Sequence, residues 1–221
     1  MKENKVKYEY TKTFETDSGV HTEKIMALDD ISVSIEKGSF VAVLGHNGSG
    51  KYLFKRSEIS PEIYKFIMQY TLDKTNNLGE IGKGGTSVYA LEFLSNWLNE
   101  NANNKGMNIK CSSISKDKIS IYNLELNEKI KKGAVAIVRI YQDCDHYCLL
   151  TKLDEEFAYL FDPYYLNINY YDNDEDVEII KNKPFEFNRK VKKERMEEYT
   201  NRDFALVRGE NSEIIIIENT K

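Results

Sequence analysis

The pattern of apolar and polar positions changes character near residue 52. Before that point short apolar runs typical of strands span Val6 to Tyr10 and Met26 to Ile35, with a turn predicted at Asp17 to Gly19. A third run, Phe40 to Leu44, is continuously apolar, which is typical of a strand buried on both faces of a parallel sheet. The first segment is therefore predicted to consist of strands.

Tyr52 to Arg56 has the pattern of the last turns of a helix, and a second helix is predicted to begin at about Pro61. Ser60 and Pro61 provide a cap and a first helical position, and the apolar residues that follow recur at helical spacing, at Ile63, Phe66, Ile67 and Tyr70. A glycine-rich loop is predicted over Leu78 to Thr86. Ser87 then begins a further, strongly amphipathic helix that ends near Asn101.

Beyond Asn101 the pattern predicts mainly strands. The predicted strands are Asn108–Cys111, Ala134–Ile140, His146–Leu150, Phe157–Phe161, Ala205–Val207 and Ile214–Ile217, with a short helix at Asn123–Lys131. Helices followed by a set of antiparallel strands indicate an α+β domain.

Charge and composition narrow the range of partners and compartments. The chain has 221 residues with 31 basic and 36 acidic side chains, a net charge of -5, and no dense basic stripe, so no nucleic-acid partner is predicted. The segment Lys181 to Arg195 is locally basic but is interrupted by acidic residues, and it is interpreted as a solvated charged surface. Neither a secretory signal nor a membrane span is predicted. Three irregularly spaced cysteines fit a reducing compartment, and a cytoplasmic protein is expected.

A phosphate-binding motif follows the third apolar run. Its spacing is Gly-x-x-x-x-Gly-Lys, in which backbone N–H groups converge on phosphate oxygens and the lysine reaches the outer phosphates. The candidate nucleotide-binding residues are Gly45, Asn47, Gly48, Ser49, Gly50 and Lys51. Tyr52 stands where a serine or threonine would hold Mg²⁺, and its distant phenol cannot replace that compact ligand.

Residues 5 to 51, including Met-Ala-Leu-Asp-Asp-Ile-Ser-Val-Ser-Ile-Glu-Lys-Gly and Gly-His-Asn-Gly-Ser-Gly-Lys, resemble ABC transporter ATPases. Within that family, they resemble the ATP-binding subunits of energy-coupling factor vitamin transporters. The resemblance implies that an aromatic side chain stacks on adenine, with Tyr10 the best positional match and Tyr8 the next. The signature motif, the Asp-Glu strand and the switch histidine of that family are not found after Lys51. ATP hydrolysis and a resident cofactor are not expected. Weak nucleotide binding is left open.

A second set of chemically capable residues lies in the predicted sheet. His146 enters an apolar strand, and sixteen residues later a second strand ends at Asp162 before a proline. Adjacent antiparallel strands would place the imidazole and the carboxylate side by side. A histidine base oriented by a carboxylate is the arrangement used with a cysteine nucleophile.

The segment from residue 52 to at least residue 165 resembles the papain-like peptidase C39 families. The resemblance rests on Ser-Pro-Glu-Ile, Gly-Lys-Gly-Gly-Thr-Ser, Phe-Leu-Ser-Asn-Trp-Leu, and His-Tyr-x-Leu-Leu followed by Tyr-Leu-Phe-Asp-Pro-Tyr-Tyr. It implies that His146 is the general base, that Asp162 orients it, and that a peptide such as a Gly-Gly leader is the ligand.

The nucleophile that this resemblance requires is missing. The family's cysteine lies before the position of Tyr52, whereas the first cysteine of this chain is Cys111. Cys144 and Cys148 flank His146 on one strand face, but a line with steps of about 7 Å cannot wrap a tetrahedral metal ion. All three cysteines are interpreted as small buried apolar residues, and no metal site is predicted.

Together these observations predict two segments, residues 1–51 and 52–221. The first would be an ABC ATPase fragment that contains the first strands and the phosphate loop. The second would be an α+β domain with a truncated papain-like C39 fold, in which helices pack on an antiparallel sheet. Three functions stay open: an inactive peptidase remnant, a peptide-binding module, and a nucleotide-binding protein.

Overall fold

The computed structural model describes two compact units of the chain. The described residues are 2–16 and 19–34, for which the description concerns the backbone, and 61–71, 73–81, 84–102, 104, 106–162, 170–181, 183 and 186–220. The predicted strand Phe40 to Leu44, the phosphate loop Gly45 to Lys51 and the helical turns predicted at Tyr52 to Arg56 lie outside the described residues. The division between the two units also falls among residues that are not described. The boundary at Lys51 therefore stays a prediction.

The first unit is an antiparallel hairpin. Strand β1 runs over Lys2–Thr16 and β2 over Gly19–Ser34. Both strands are longer than the sequence pattern predicts, because pairing continues through polar stretches that have no apolar alternation. Tyr10 lies opposite Ile25, and register shifts interrupt the ladder between Glu3 and Glu9.

Four α-helices occur in the described part of the second unit. They are α1 (Pro61–Tyr70), α2 (Val88–Asn101), α3 (Leu124–Lys131) and α4 (Lys193–Glu197). Ser87 caps α2 by accepting a hydrogen bond from the N–H of Ala90, and Asn123 caps α3 through the N–H of Leu126. The helix starts at Pro61 and Ser87 are therefore predicted correctly.

A seven-stranded antiparallel sheet forms the centre of this unit. Its strands are β3 (Ile109–Ser113), β4 (Val135–Gln142), β5 (Cys144–Leu153), β6 (Phe157–Phe161), β7 (Val177–Ile179), β8 (Arg189–Lys192) and β9 (Ile214–Asn219). The order across the sheet is β3-β9-β4-β5-β6-β8-β7. The mixed α and β architecture with helices on an antiparallel sheet is as the sequence predicts.

Apolar side chains cover both faces of the sheet. Along β9, Ile214 and Ile216 join a cluster with α3 and α4, whereas Ile215 joins a cluster with α1 and α2. Successive strand residues point to opposite faces, so α1 and α2 pack on one face and α3 and α4 on the other. We call these the α1/α2 face and the α3/α4 face.

Two sequence interpretations are wrong in this unit. Ala205–Val207 is not a strand: Leu206 forms a single bridge to Ile140, and the chain turns immediately before it at Phe204, where φ is 70°. The segment Lys181–Arg195 is not simply a solvated surface, because it contains β8 and part of α4.

Three basic side chains of that segment are buried, namely Arg189, Lys193 and Arg195. Burial is possible because each cation meets oxygen acceptors. Arg195, for example, contacts Asp174 at 2.8 Å and Asp176 at 2.9 Å. The acidic run that precedes β7 therefore provides counter-ions for the interior and is not only a charged surface.

Candidate functional site

His146 and Asp162 lie in direct contact on the α3/α4 face. The Nε2 atom of His146 is 2.9 Å from Oδ1 of Asp162. The imidazole is 18% exposed and the carboxylate is fully buried. The pair therefore consists of a partly exposed imidazole and a buried carboxylate. The second ring nitrogen, Nδ1, is the atom through which the imidazole would act on a neighbouring group.

The strand register explains this contact. On β5, His146 precedes Cys148 by two residues, and Cys148 belongs to the core cluster of the α3/α4 face. On β6, Leu160 belongs to the same cluster, and Asp162 follows it by two residues. Because side chains alternate along a strand, His146 and Asp162 project from the same face at the same end of neighbouring strands.

Asp162 is held by more than the histidine. Its Oδ2 atom lies 3.5 Å from Nε of Arg189 and 3.4 Å from Nε2 of Gln142. The side chain of Asn188 binds the backbone of Asp162 through two hydrogen bonds. The Oδ1 atom of Asn188 accepts from the Asp162 N–H at 2.7 Å, and its Nδ2 atom donates to the Asp162 carbonyl at 2.7 Å. One carboxylate oxygen thus faces the imidazole, while the other faces a guanidinium.

A polar chain leads away from Asp162 behind the site. The Nε2 atom of Gln142 also reaches the hydroxyl of Tyr171 at 3.5 Å, and that hydroxyl donates to Asp203 at 2.8 Å. Burial raises the pKa of the Tyr171 phenol well above its ordinary value. Tyr171 is therefore a neutral donor over the physiological range and stabilises the buried end of the site as a hydrogen-bond link.

The three cysteines do not complete a catalytic triad. Cys111 and Cys148 are buried, and burial raises the pKa of both thiols, that of Cys111 to about 12. Cys144 is exposed, so the prediction that it is buried is wrong; it follows the tight turn at Asp143, where φ is 56°, at the exposed tip of the β4–β5 hairpin. Cys144 is not part of the group formed by His146, Cys148 and Asp162, whose donor atoms lie within 4.8 Å of one another.

One group of possible metal ligands occurs among the described residues. It comprises His146, Cys148 and Asp162, whose donor atoms lie within 4.8 Å of one another. The surroundings oppose a metal ion, because the guanidinium of Arg189 already faces the carboxylate. The Cys148 thiol would also need to lose its proton, although burial and then the charge of Asp162 raise its pKa. The prediction that the chain has no metal site stays a prediction.

A second polar cluster lies on the α1/α2 face of the same strands. Arg139 is buried, and it donates to Asp145 at 2.7 Å and to the hydroxyl of Tyr147 at 3.3 Å. The Tyr147 hydroxyl in turn donates to Glu213 at 2.7 Å. Burial raises the pKa of Glu213 from 4.5 to about 6, although the bond from Tyr147 and the charge of Arg139 oppose that shift.

Replacing Glu213 with glutamine is expected to raise the free energy of unfolding at pH 7 by about 1 kcal/mol, because solvent screening at this partly exposed site reduces the effect of the pKa shift. Burial disfavours the ionised form, so the contribution of the neutral acid is complete below pH 4.5 and is lost as the pH rises through about 6. Glutamine keeps an oxygen acceptor for Tyr147 and does not ionise. Urea unfolding of both proteins at about pH 4 and pH 7 measures the difference.

The exposed residue Glu155 gives a matched control. Glu155→Gln removes the same charge at the surface, and the stability difference from the parent protein is expected to stay near zero at both pH values. A Glu213→Gln variant that is no more stable than the parent at pH 7 would contradict the interpretation of Glu213 as a partly buried carboxylate whose ionised form is disfavoured.

The sequence identifies only part of this site. His146 and Asp162, named as base and orienting acid, are brought together, and their catalytic roles stay predictions. Of the predicted nucleotide-binding residues, Tyr10 lies on β1, while Gly45, Asn47, Gly48, Ser49, Gly50 and Lys51 lie outside the described residues. The sequence pattern did not predict that Asn188, Arg189 and Gln142 contact Asp162. Alternation of Phe187, Arg189 and Val191 is the signal that indicates an inward-facing arginine.

Comparison with known proteins gives short matches only. No family model matches the chain, and no solved structure matches it. Within the described ranges, every helix is too short or too polar to span a bilayer.

The matched proteins are ATP-binding subunits of energy-coupling factor transporters. The chain is 43% identical over 51 residues to the energy-coupling factor transporter ATP-binding protein EcfA1 of Clostridioides difficile, and 43% identical over 63 residues to that of Latilactobacillus sakei. It is 61% identical over 31 residues to EcfA of Pediococcus pentosaceus.

These matches cover 14% to 26% of this chain, and the chain spans only 11% to 19% of the length of these curated relatives. They support a resemblance to a fragment of an ABC ATPase.

Proposed function

We propose that residues 52–221 are the remnant of a papain-like, C39-type cysteine peptidase that has kept its base and orienting acid and has lost catalysis. The contact between His146 and the buried Asp162 carries this proposal. A fully buried carboxylate is costly unless it has a partner, and here it contacts an imidazole that is 18% exposed at the end of two strands. That arrangement suits a base that acts on a group at the protein surface.

The loss of catalysis follows from the thiols. A cysteine nucleophile needs its thiolate within hydrogen-bond reach of the imidazole. Cys148 is near His146 but is buried and held in the thiol form. Cys144 is exposed and is not among the residues whose donor atoms gather around His146. Without a nucleophile, a triad enzyme loses several orders of magnitude in rate.

A peptide-cleavage assay tests this proposal. A fluorogenic peptide that contains a Gly-Gly leader sequence is incubated with the full chain and with His146→Gln, and both are expected to give the rate of buffer alone. Cleavage by the parent chain that His146→Gln abolishes would overturn the loss of catalysis. Cleavage that persists in His146→Gln but not in Cys144→Ser would overturn the assignment of His146 as the base.

A second candidate function, nucleotide binding by the first segment, is favoured by the short matches to energy-coupling factor ATP-binding proteins. The residues Gly45 to Lys51 have the spacing that cradles phosphate oxygens, and Tyr52 removes the usual Mg²⁺ ligand. Binding without hydrolysis, and with little dependence on Mg²⁺, is the expected behaviour.

Calorimetric titration with ATP, with and without Mg²⁺, tests the second candidate. Lys51→Ala is expected to abolish binding, and Tyr52→Ser is expected to make the affinity depend on Mg²⁺. An ATP titration that Lys51→Ala leaves unchanged, or one that shows no heat at millimolar ATP, would eliminate this function.

A further inference from the structure

Asn188 continues the β-sheet ladder beyond its last backbone pair. Strands β6 and β8 pair up to Leu160 opposite Arg189, and the N–H of Asn188 still donates to the carbonyl of Leu160 at 2.9 Å. At the next position the side-chain amide replaces the backbone. It accepts from the N–H of Asp162 and donates to its carbonyl, each at 2.7 Å.

This pair of bonds fixes the backbone of Asp162 relative to the sheet. A single hydrogen bond would still allow the peptide groups on either side of Asp162 to rotate, whereas two bonds of opposite polarity hold both of them. The Cα–Cβ direction, and with it the side from which the carboxylate approaches His146, is set by those peptide groups.

Contacts at both of its oxygens fix the rotation of the Asp162 carboxylate. Oδ1 contacts Nε2 of His146 at 2.9 Å, and Oδ2 faces Arg189 at 3.5 Å. Arg189 also donates to the carbonyl of Asn188 at 3.0 Å. The neighbours Asn188 and Arg189 therefore act on the same acid from β8, one through its backbone and the other through its side chain.

We propose that Asn188 is a positioning residue that holds Asp162 in register with His146 and thereby keeps the ring proton on Nε2, leaving Nδ1 as the basic nitrogen. This inference rests on the proposed function for the meaning of the site, but its geometry can be tested without any activity. Asn188 touches neither a substrate nor the imidazole, and acts only through Asp162.

The chain contains a matched control for the same pair of hydrogen bonds. The side chain of Asn99 donates to the carbonyl of Cys111 at 2.9 Å and accepts from its N–H at 2.7 Å. Cys111 lies on β3 in the core cluster of the α1/α2 face. Asn99→Ala therefore removes an equal set of bonds without touching the His146 site.

The experiment measures the ring ¹⁵N and ¹H resonances of His146 by NMR in weakly alkaline buffer. The chain has three histidines, and His146→Gln assigns the signal. The parent protein and Asn99→Ala are expected to show the Nε2–H tautomer. Asn188→Ala is expected to show a mixture of tautomers, with exchange of the ring proton roughly tenfold faster.

A parent-like ring spectrum in folded Asn188→Ala overturns the proposal, as does an equal change in Asn99→Ala. If Asn188→Ala does not fold, Asn188→Asp is measured instead, since it has the same size and keeps the acceptor but loses the donor. A parent-like ring spectrum in folded Asn188→Asp, or an equal change in Asn99→Ala, then overturns the proposal. Peptide cleavage by the parent chain would overturn the proposed loss of catalysis and leave this ring spectrum unaffected, so that the two failures are distinguishable.

Discussion

Replacing Arg189 with methionine is expected to lower the free energy of unfolding by about 3–5 kcal/mol, because the buried carboxylate of Asp162 then loses the guanidinium that faces it. The side chain of Arg189 is 4% exposed and that of Asp162 is fully buried, so water cannot replace the lost charge. Urea unfolding followed by the fluorescence of Trp97, the single tryptophan, measures the loss.

Two further variants separate the loss of the Arg189 charge from the change in side-chain packing. Lys190→Met changes the neighbouring residue on β8, whose exposed ion pair with Glu178 is worth about 0–1 kcal/mol. Combining Arg189→Met with Asp162→Asn removes both buried charges and is expected to recover most of the loss, which a double-mutant cycle quantifies. Losses that simply add would show that the two side chains are not coupled.

Replacing Phe204 with alanine is expected to cost about 3–5 kcal/mol in unfolding free energy, since its fully buried ring leaves a cavity. The ring contacts Tyr171 edge to face, with 5.5 Å between centroids, and Tyr171 leads through Gln142 to Asp162. Thermal and urea unfolding of the variant measure the loss.

The backbone at Phe204 permits a sharper comparison. Its φ is 70°, a conformation that costs a residue with a Cβ atom about 1 kcal/mol and costs glycine little. Phe204→Gly is therefore expected to be at least as stable as Phe204→Ala. At Leu206, which is buried and lacks a positive φ, glycine is expected to be about 0.5–1 kcal/mol worse than alanine. The same order at both positions would contradict this explanation.

Periodicity predicts the elements whose apolar side chains alternate clearly. The helix beginning at Pro61 and the strands containing Val138, Leu150 and Leu160 are in this group, because each buries one face and the sequence shows which. Strand β8 escapes prediction because one of its two inward positions is an arginine, Arg189, and the other is Val191. The burial of Arg189 depends on a carboxylate elsewhere in the chain, that of Asp162, and no local pattern contains that information.

The candidate site divides in the same way. His146 and Asp162 are identifiable because His146 begins one recognisable apolar run and Asp162 follows another, and adjacent antiparallel strands bring such positions together. Asn188 is not identifiable, since its role depends on β8 lying beside β6 and on a side chain substituting for a backbone pair. The exposed position of Cys144 depends on a tight turn at Asp143 that has neither glycine nor asparagine to indicate it.

The position of β9 determines when the seven-stranded sheet can form during synthesis. This strand is last in sequence order among the seven, yet it lies between β3 and β4 and pairs with both. Until it has left the ribosome, the facing edges of β3 and β4 have no partner, and such edges attract other chains. Completion of the sheet therefore waits for β9, and its rate would follow this non-local pairing more than the strength of any local helix.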